Sequence, residues 1–249
     1  MSVGRDIPPT TCPEPVGRAV MVQHWTDLVY LHWPMTPESV QRRLPVGIEV
    51  DTFDGSAWVG LIPFHMDGLG FPVRGLAPLP HVGSFPEVNV RTYVRSGDRR
   101  GVFFLSLDID RWLPALVARG AYRIPYCVGD VRHVRVGDLV TTTVSRRWPR
   151  PEHGPATASI AVRVGAAVDE PDDLATFLTA RWGLISGPPG SRLGYAPVDH
   201  PEWSLRRAEV LELDETLVRA AGLPDPVGEP HALYSPGVPV RIGAPRRVV

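Results

Sequence analysis

Residues 85–109 alternate at period two on both sides of a turn, and that pattern commits the middle of the chain to paired strands. In FPEVNVRTYV the residues Glu87, Asn89, Arg91 and Tyr93 occupy every second position, with Val88, Val90, Thr92 and Val94 between them. Successive strand side chains point to opposite faces, so the first four share one face. Ser96-Gly97-Asp98-Arg99 suits a short hairpin loop. In the returning GVFFLSLDID, Phe103, Leu105, Leu107 and Ile109 share one face and Phe104, Ser106 and Asp108 the other. If the polar faces coincide, Glu87, Asn89, Arg91, Tyr93, Ser106 and Asp108 form one patch. Two readings of it stand open: a solvated outer face, or the lining of a barrel or cleft, because the hairpin lies between other strand-rich regions.

The rest of the chain reads the same way. Its 28 prolines and 24 glycines favour turns and short strands over long helices. Strand signals recur at 24–33, 47–51, 57–66, 123–136, 138–148, 156–164, 194–201, 203–213 and 229–243. Pro63, inside one of them, marks an edge or a bulge. Thr36-Pro37 opens a short helix ending before Pro45. Further helices are expected at 111–119, at 170–182 and at 214–221, the last capped by Asp214. Residues 183–194 read as a Gly/Pro loop. Residues 67–86 are a second such loop, carrying Leu69, Phe71, Leu76 and Leu79; it is either a lid over a site or a packed surface loop. Residues 1–18 read as a flexible arm, and 19–249 as one mainly antiparallel β domain with short helices, an α+β chain dominated by strands.

Composition excludes more than it assigns. A net charge of −1 gives no basic footprint for nucleic acid or an anionic membrane. No apolar run is long enough to span a bilayer, and no apolar segment near the start marks a signal peptide. Cys12 and Cys127 form no disulfide framework and no CxxC pair, which fits a reducing cytoplasm. The sequence lacks a P-loop, GxGxxG, HExxH and GxSxG, so no cofactor and no metal are expected. Cys127 reads as a buried, inert thiol; His65, His200 and His231 are each either a lone general base or a structural side chain. All 26 basic residues are arginine. A guanidinium stays protonated, so the chain has no side-chain amine for a Schiff base.

The segments LVYLHWPMTPESVQRRLPVGIEVD, GSAWVGLIPFHM, FPEVNVRTYV, FFLSLDID, ARGAYRIPY and YSPGV together resemble the YqjF-like family of bacterial proteins, over about residues 20–245. That family is in turn similar to the acetoacetate decarboxylase superfamily. The wider likeness rests on the LPxGxExD-like pattern at 44–51, on Glu87 in its aromatic-Pro-Glu context, and on residues 118–127, which resemble a GRExxxxPKK segment. The resemblance implies a barrel-like antiparallel sheet with flanking short helices, a cavity for a small molecule, and self-association into an oligomer.

Carried over by motif, the Schiff-base lysine of the decarboxylases falls on Tyr126 and the lysine beside it on Cys127; the Arg-Glu pair falls on Arg119 and Gly120, and the pocket carboxylate is kept as Glu87. The resemblance therefore implies a carbonyl- or carboxylate-binding cavity from which the imine chemistry has gone. Glu87 and Tyr126 are the candidate acid–base residues. Arg91, Arg119, Asn89, Tyr93 and Tyr122 are the candidate ligand contacts. The alternatives are a non-catalytic binding or sensing protein on the same scaffold, and a buried Glu–Arg pair that only holds the barrel together.

Overall fold

The computed structural model describes residues 6–72, 83–112, 115, 123–152, 154–187 and 193–248. The strands are β1 (Ala19–Met35), β2 (Glu49–Val50), β3 (Thr52–Phe53), β4 (Ser56–Gly70), β5 (Phe85–Ser96), β6 (Arg99–Ile109), β7 (Tyr126–Val136), β8 (Leu139–Trp148), β9 (Thr157–Ala167), β10 (Gly183–Ser186), β11 (Gly194–Asp199), β12 (Arg206–Glu215), β13 (His231–Gly243) and β14 (Arg246–Arg247). Helices α1 (Pro37–Gln41), α2 (Asp173–Thr179) and α3 (Leu217–Ala220) are short. None of the described helices is long and apolar enough to cross a membrane.

Strands β13, β1, β4, β5 and β6 lie side by side as one wall. On one side β7, β8, β9 and β12 run from β6 back to β13 and close a nine-strand barrel. On the other side β10 and β11 make a shorter return: Leu184 of β10 bridges Val102 of β6, and Val198 of β11 pairs with Ile242 of β13. The wall is thus buried on both faces. The nine-strand side is packed with Val29, Leu31, Trp33, Leu61, Val88, Val90 and Val162, all nearly inaccessible to solvent. The β10–β11 side holds Leu28, Tyr30, Ile62, Phe64, Met66, Phe85 and Leu107. Pairing is antiparallel except at β6–β7 and β6–β10.

Two irregularities in the wall decide which residues reach which side. In β1, Asp27 has φ 52°, and the pairing with β4 breaks between Thr26↔His65 and Leu31↔Leu61. One extra residue on β1 reverses its alternation, so Trp25 and Leu28 both face the β10–β11 side. Pro63 of β4, which has no N–H to donate, lies across from the break. Asp27 is held there by the Tyr234 hydroxyl at 2.5 Å and by Arg135, while its carbonyl meets His133 Nε2 at 2.8 Å. Gly237, with φ 121°, passes so close that a Cβ would lie 2.0 Å from the Trp25 carbonyl oxygen, so only glycine fits.

The second irregularity is in the central hairpin. Val90 pairs with Ser106 but Arg91 pairs with Phe104, leaving Leu105 unpaired as a bulge. This corrects the regular alternation read from the sequence: Phe104 joins the face of Leu107, not that of Ser106 and Asp108. It also splits the expected polar patch. Ser106 and Asp108 pair with Val90 and Val88 and take the nine-strand side, where Arg146 of β8 donates to both Asp108 oxygens at 2.7 Å and to Ser106 Oγ at 3.0 Å.

Three further expectations are corrected in extent. The helix expected over 170–182 is confined to Asp173–Thr179, because its N-cap is Asp172, which accepts from the Ala175 N–H at 2.7 Å, and Ala180 leaves the helical region. Asp214 stays in β12; Thr216 is the cap residue of α3, and Glu215 accepts from the Val218 N–H at 3.0 Å. The segment 183–194 is not all loop, since it contains β10. The helix expected at 111–119 and the middle of the 67–86 loop lie largely outside the described residues. Of residues 6–18, Asp6 pairs with Arg95 and Arg100, and the Pro9 carbonyl accepts from Trp182 Nε1 at 2.9 Å.

Candidate functional site

The β10–β11 side of the wall is not filled. It encloses a cavity of about 230 Å³. Most of its lining is apolar, from Trp25, Ile62, Phe64, Met66, Phe104 and Trp203 among others, and a few polar side chains converge on it: Glu87, Asn89, Arg91, Tyr126, Thr179, Arg181 and His200. A cleft of this kind, apolar with a few placed polar groups, is the usual form of a small-molecule site.

The register explains the convergence. Asn89 pairs with Leu107, and Leu107 pairs with Tyr126 across the parallel β6–β7 contact. Directly paired residues share a face, so Glu87, Asn89, Arg91, Leu107 and Tyr126 all take the cavity side. Cys127, one residue on, pairs with Asp108 and is turned away. The Tyr126 hydroxyl donates to Glu87 Oε2 at 2.9 Å, and both side chains are buried.

Burial is the largest influence on Glu87. It pushes the carboxyl from 4.5 up to about 7, against the hydrogen bonds from Tyr126 and Asn89, which favour the ionised form, and with the nearby charge of Asp108. Glu87 therefore exchanges its proton close to neutral pH, as a general acid or base at that pH requires. Burial also raises the Tyr126 phenol well above its ordinary value, with the Glu87 charge acting in the same sense. Tyr126 is thus a hydrogen-bond donor and not a phenolate.

Arg91 is buried on the same strand. Its Nη2 donates to the Tyr93 hydroxyl at 3.3 Å and to the Leu178 carbonyl at 3.5 Å, and its guanidinium lies 5.6 Å from the Tyr30 and Tyr93 ring centres. Tyr93 itself does not line the cavity. It is fully buried behind Arg91, 2.6 Å from His32 Nε2, and this corrects its placement among the ligand contacts. Arg119 and Tyr122 lie outside the described residues.

Besides Gln23 of β1, whose Oε1 accepts from Trp25 Nε1 at 2.7 Å, three polar lining residues were not read from the sequence as part of the site. Arg181 follows α2, packs 4.1 Å from the Phe177 ring centre, and pairs with buried Asp51 at 2.7 Å. Thr179 ends the same helix. His200 was only one of three lone histidines; its ring lies between Trp182 and Trp203, at 4.4 and 4.7 Å, and burial lowers its pKa. No spacing signal links these three to Glu87, because α2 and β11 reach the cavity only through the fold. His65 instead contacts Asp67 at 3.3 Å, outside the cavity lining. Among the described residues no group of three His, Cys, Asp or Glu side chains is placed to hold a metal ion.

Comparison with known proteins agrees with this architecture. A family model, DUF2071, described as an uncharacterized conserved protein, matches residues 22–239. The chain is 31% identical over 230 residues to the uncharacterized protein YqjF of Bacillus subtilis (strain 168), covering 89% of each. Among solved structures it is similar to the acetoacetate decarboxylase of Legionella pneumophila, with a TM-score of 0.65, 12% identity, and 95% and 92% of the two chains covered. It is also similar to the enduracididine biosynthesis enzyme MppR complexed with pyruvate, with a TM-score of 0.64, 14% identity, and 93% and 91% covered. At such identities the likeness is one of fold.

Proposed function

The chain belongs to the DUF2071 family of uncharacterized conserved proteins, and from that premise we propose that it binds a small carbonyl or carboxylate compound in the wall cavity and acts on it by lysine-independent acid–base chemistry. The observation that carries this reading is the contact of Tyr126 with Glu87 at 2.9 Å on the lining of a cavity of about 230 Å³. A carboxyl that ionises near pH 7 takes a proton from carbon or returns one to it. The tyrosine hydroxyl holds the carboxylate in place. The fold neighbours include a decarboxylase and an enzyme whose complex contains pyruvate, so a carbonyl compound is in keeping with the scaffold.

Imine formation has no part in the reading, because the chain contains no lysine. Enolisation, dehydration and hydrolysis remain available to a carboxyl–phenol pair. Binding without turnover is the second reading. It is favoured by one observation: Glu87 in its resting arrangement already receives hydrogen bonds from both Tyr126 and Asn89.

Deuterium exchange separates the two readings. Ketones and oxo acids incubated with the protein in deuterated water gain deuterium beside the carbonyl if Glu87 removes that proton, and Glu87→Gln stops the gain while ligands still bind. Binding with no exchange above the buffer rate in the wild type would leave a binding protein and remove the catalytic role.

A further inference from the structure

Among the described residues, one buried cation of the cavity lining has no counter-charge. Arg91 is 8% exposed, and among the described residues it has no ion pair; its Nε has no hydrogen-bond partner. Arg181, the other buried arginine of the lining, has Asp51, yet its Nη2 is also without a partner. On the same strand as Arg91, Asn89 Oδ1 lacks a donor. Buried polar atoms are nearly always satisfied, and a buried charge is paired. Arg91 lines the cavity and brings to it a charge with no partner carboxylate among the described residues, which describes the complement of a missing anionic head group.

The geometry also sets where that head lies relative to the acid–base pair. Arg91 and Glu87 are four residues apart on one extended strand, about 13 Å between their Cα atoms at a strand's rise per residue. The Arg91 guanidinium leans towards Tyr93 and Leu178, away from Glu87. Between the two stands Asn89, with its partner Leu107 on the paired strand, while Phe104 lies directly beside Arg91. A two- or three-carbon acid on Arg91 does not reach Glu87. The intervening volume is walled by aromatic and aliphatic groups, and an apolar cavity of roughly 150 Å³ already admits benzene.

We propose that the natural ligand is a monocarboxylic acid with a bulky apolar body, aryl or branched alkyl, whose carboxyl group sits on Arg91 and whose far end meets Glu87 and Tyr126. The inference rests on the small-molecule reading above and narrows it. It sets the ligand apart from short oxo acids, which fill neither the length nor the apolar walls.

Calorimetry with a graded panel tests it: acetate, pyruvate, hexanoate, 3-phenylpropanoate, and 3-phenylpropan-1-ol as the body without the charge. Hexanoate and 3-phenylpropanoate are expected to bind about tenfold or more tighter than acetate and pyruvate, since each buried methylene adds to affinity. The alcohol is expected to bind about tenfold or more weaker than the matching acid. Arg91→Gln should reduce affinity for the two larger acids to that of the alcohol and leave the alcohol unchanged. Pyruvate binding as tightly as 3-phenylpropanoate would overturn the apolar body while leaving a small-molecule site in place. Equal affinity of acid and alcohol for the wild type would overturn the anionic head without recourse to a variant. Failure of every compound to bind would overturn this inference, and absence of exchange together with absence of binding would overturn the reading beneath it.

Discussion

The Tyr126 hydroxyl donates to Glu87 Oε2 across 2.9 Å, bringing together two strands that are not hydrogen-bonded neighbours. Strand β6 lies between them. Its Leu107 pairs with Asn89 on one side and with Tyr126 on the other, so the tyrosine reaches diagonally across β6 to the carboxyl two residues before Asn89. The contact fixes a carboxyl in an apolar environment and gives it one neutral donor in place of water.

The pH dependence of stability follows from that placement. Glu87 titrates at about 7 in the folded protein against 4.5 when exposed. Its folded value is raised, so its contribution is fully present below about pH 4.5 and is lost as the pH rises through about 7. The loss amounts to about 3 kcal/mol. Over pH 5 to pH 8 the wild type should lose roughly 2.5 kcal/mol more than Glu87→Gln in urea unfolding; His32, His133, His200 and His231, whose pKa values burial lowers, act in the opposite sense over that range but alike in both proteins. Tyr126→Phe removes a hydrogen bond that favours the ionised form. It should move the Glu87 titration above 7, read by carboxyl infrared absorption, and cost about 1 kcal/mol.

A second prediction concerns what the site does not do. Borohydride added with acetoacetate or pyruvate should leave no reduced adduct on any side chain, because all 26 basic residues are arginine. Intact-mass and peptide mapping check this; a mass increase on an internal residue would refute it.

The opposite face of the hairpin gives a third. Arg146 and Asp108 are both nearly inaccessible, and the guanidinium grips the carboxylate through two bonds of 2.7 Å. Removing one partner of such a pair strands the other charge in the interior. Arg146→Ala should lower unfolding free energy by about 3–5 kcal/mol in urea denaturation. Ligand affinity of the folded fraction should be unchanged, because Asp108 faces away from the cavity.

Much of this was legible in the chain itself. Period-two alternation in FPEVNVRTYV put Glu87, Asn89 and Arg91 on one face, and that face lines the cavity. The residues expected to combine with them were only partly right. Ser106 and Asp108 were lost to the opposite face by a bulge at Leu105, a deviation of one residue within an otherwise regular FFLSLDID. The extra residue at Asp27 was hidden in the same way: HWTDLVYLHW shows aromatics on both faces of an ideal strand, whereas the positive φ at Asp27 reverses its alternation so that Trp25 and Leu28 both face the cavity. Arg181 and His200 carried no signal. Their membership depends on where α2 and β11 land after the sheet has closed, which no local pattern records.

Crystals soaked with 3-phenylpropanoate bring Arg91, Glu87 and Tyr126 into one measurement. One molecule is expected in the cavity of about 230 Å³, its carboxylate within hydrogen-bond distance of the Arg91 guanidinium and its ring packed on Phe104, with the far end against Glu87 and Tyr126. A cavity that stays empty or holds only water at saturating concentration, with Arg91 unchanged, would refute the anionic-ligand assignment.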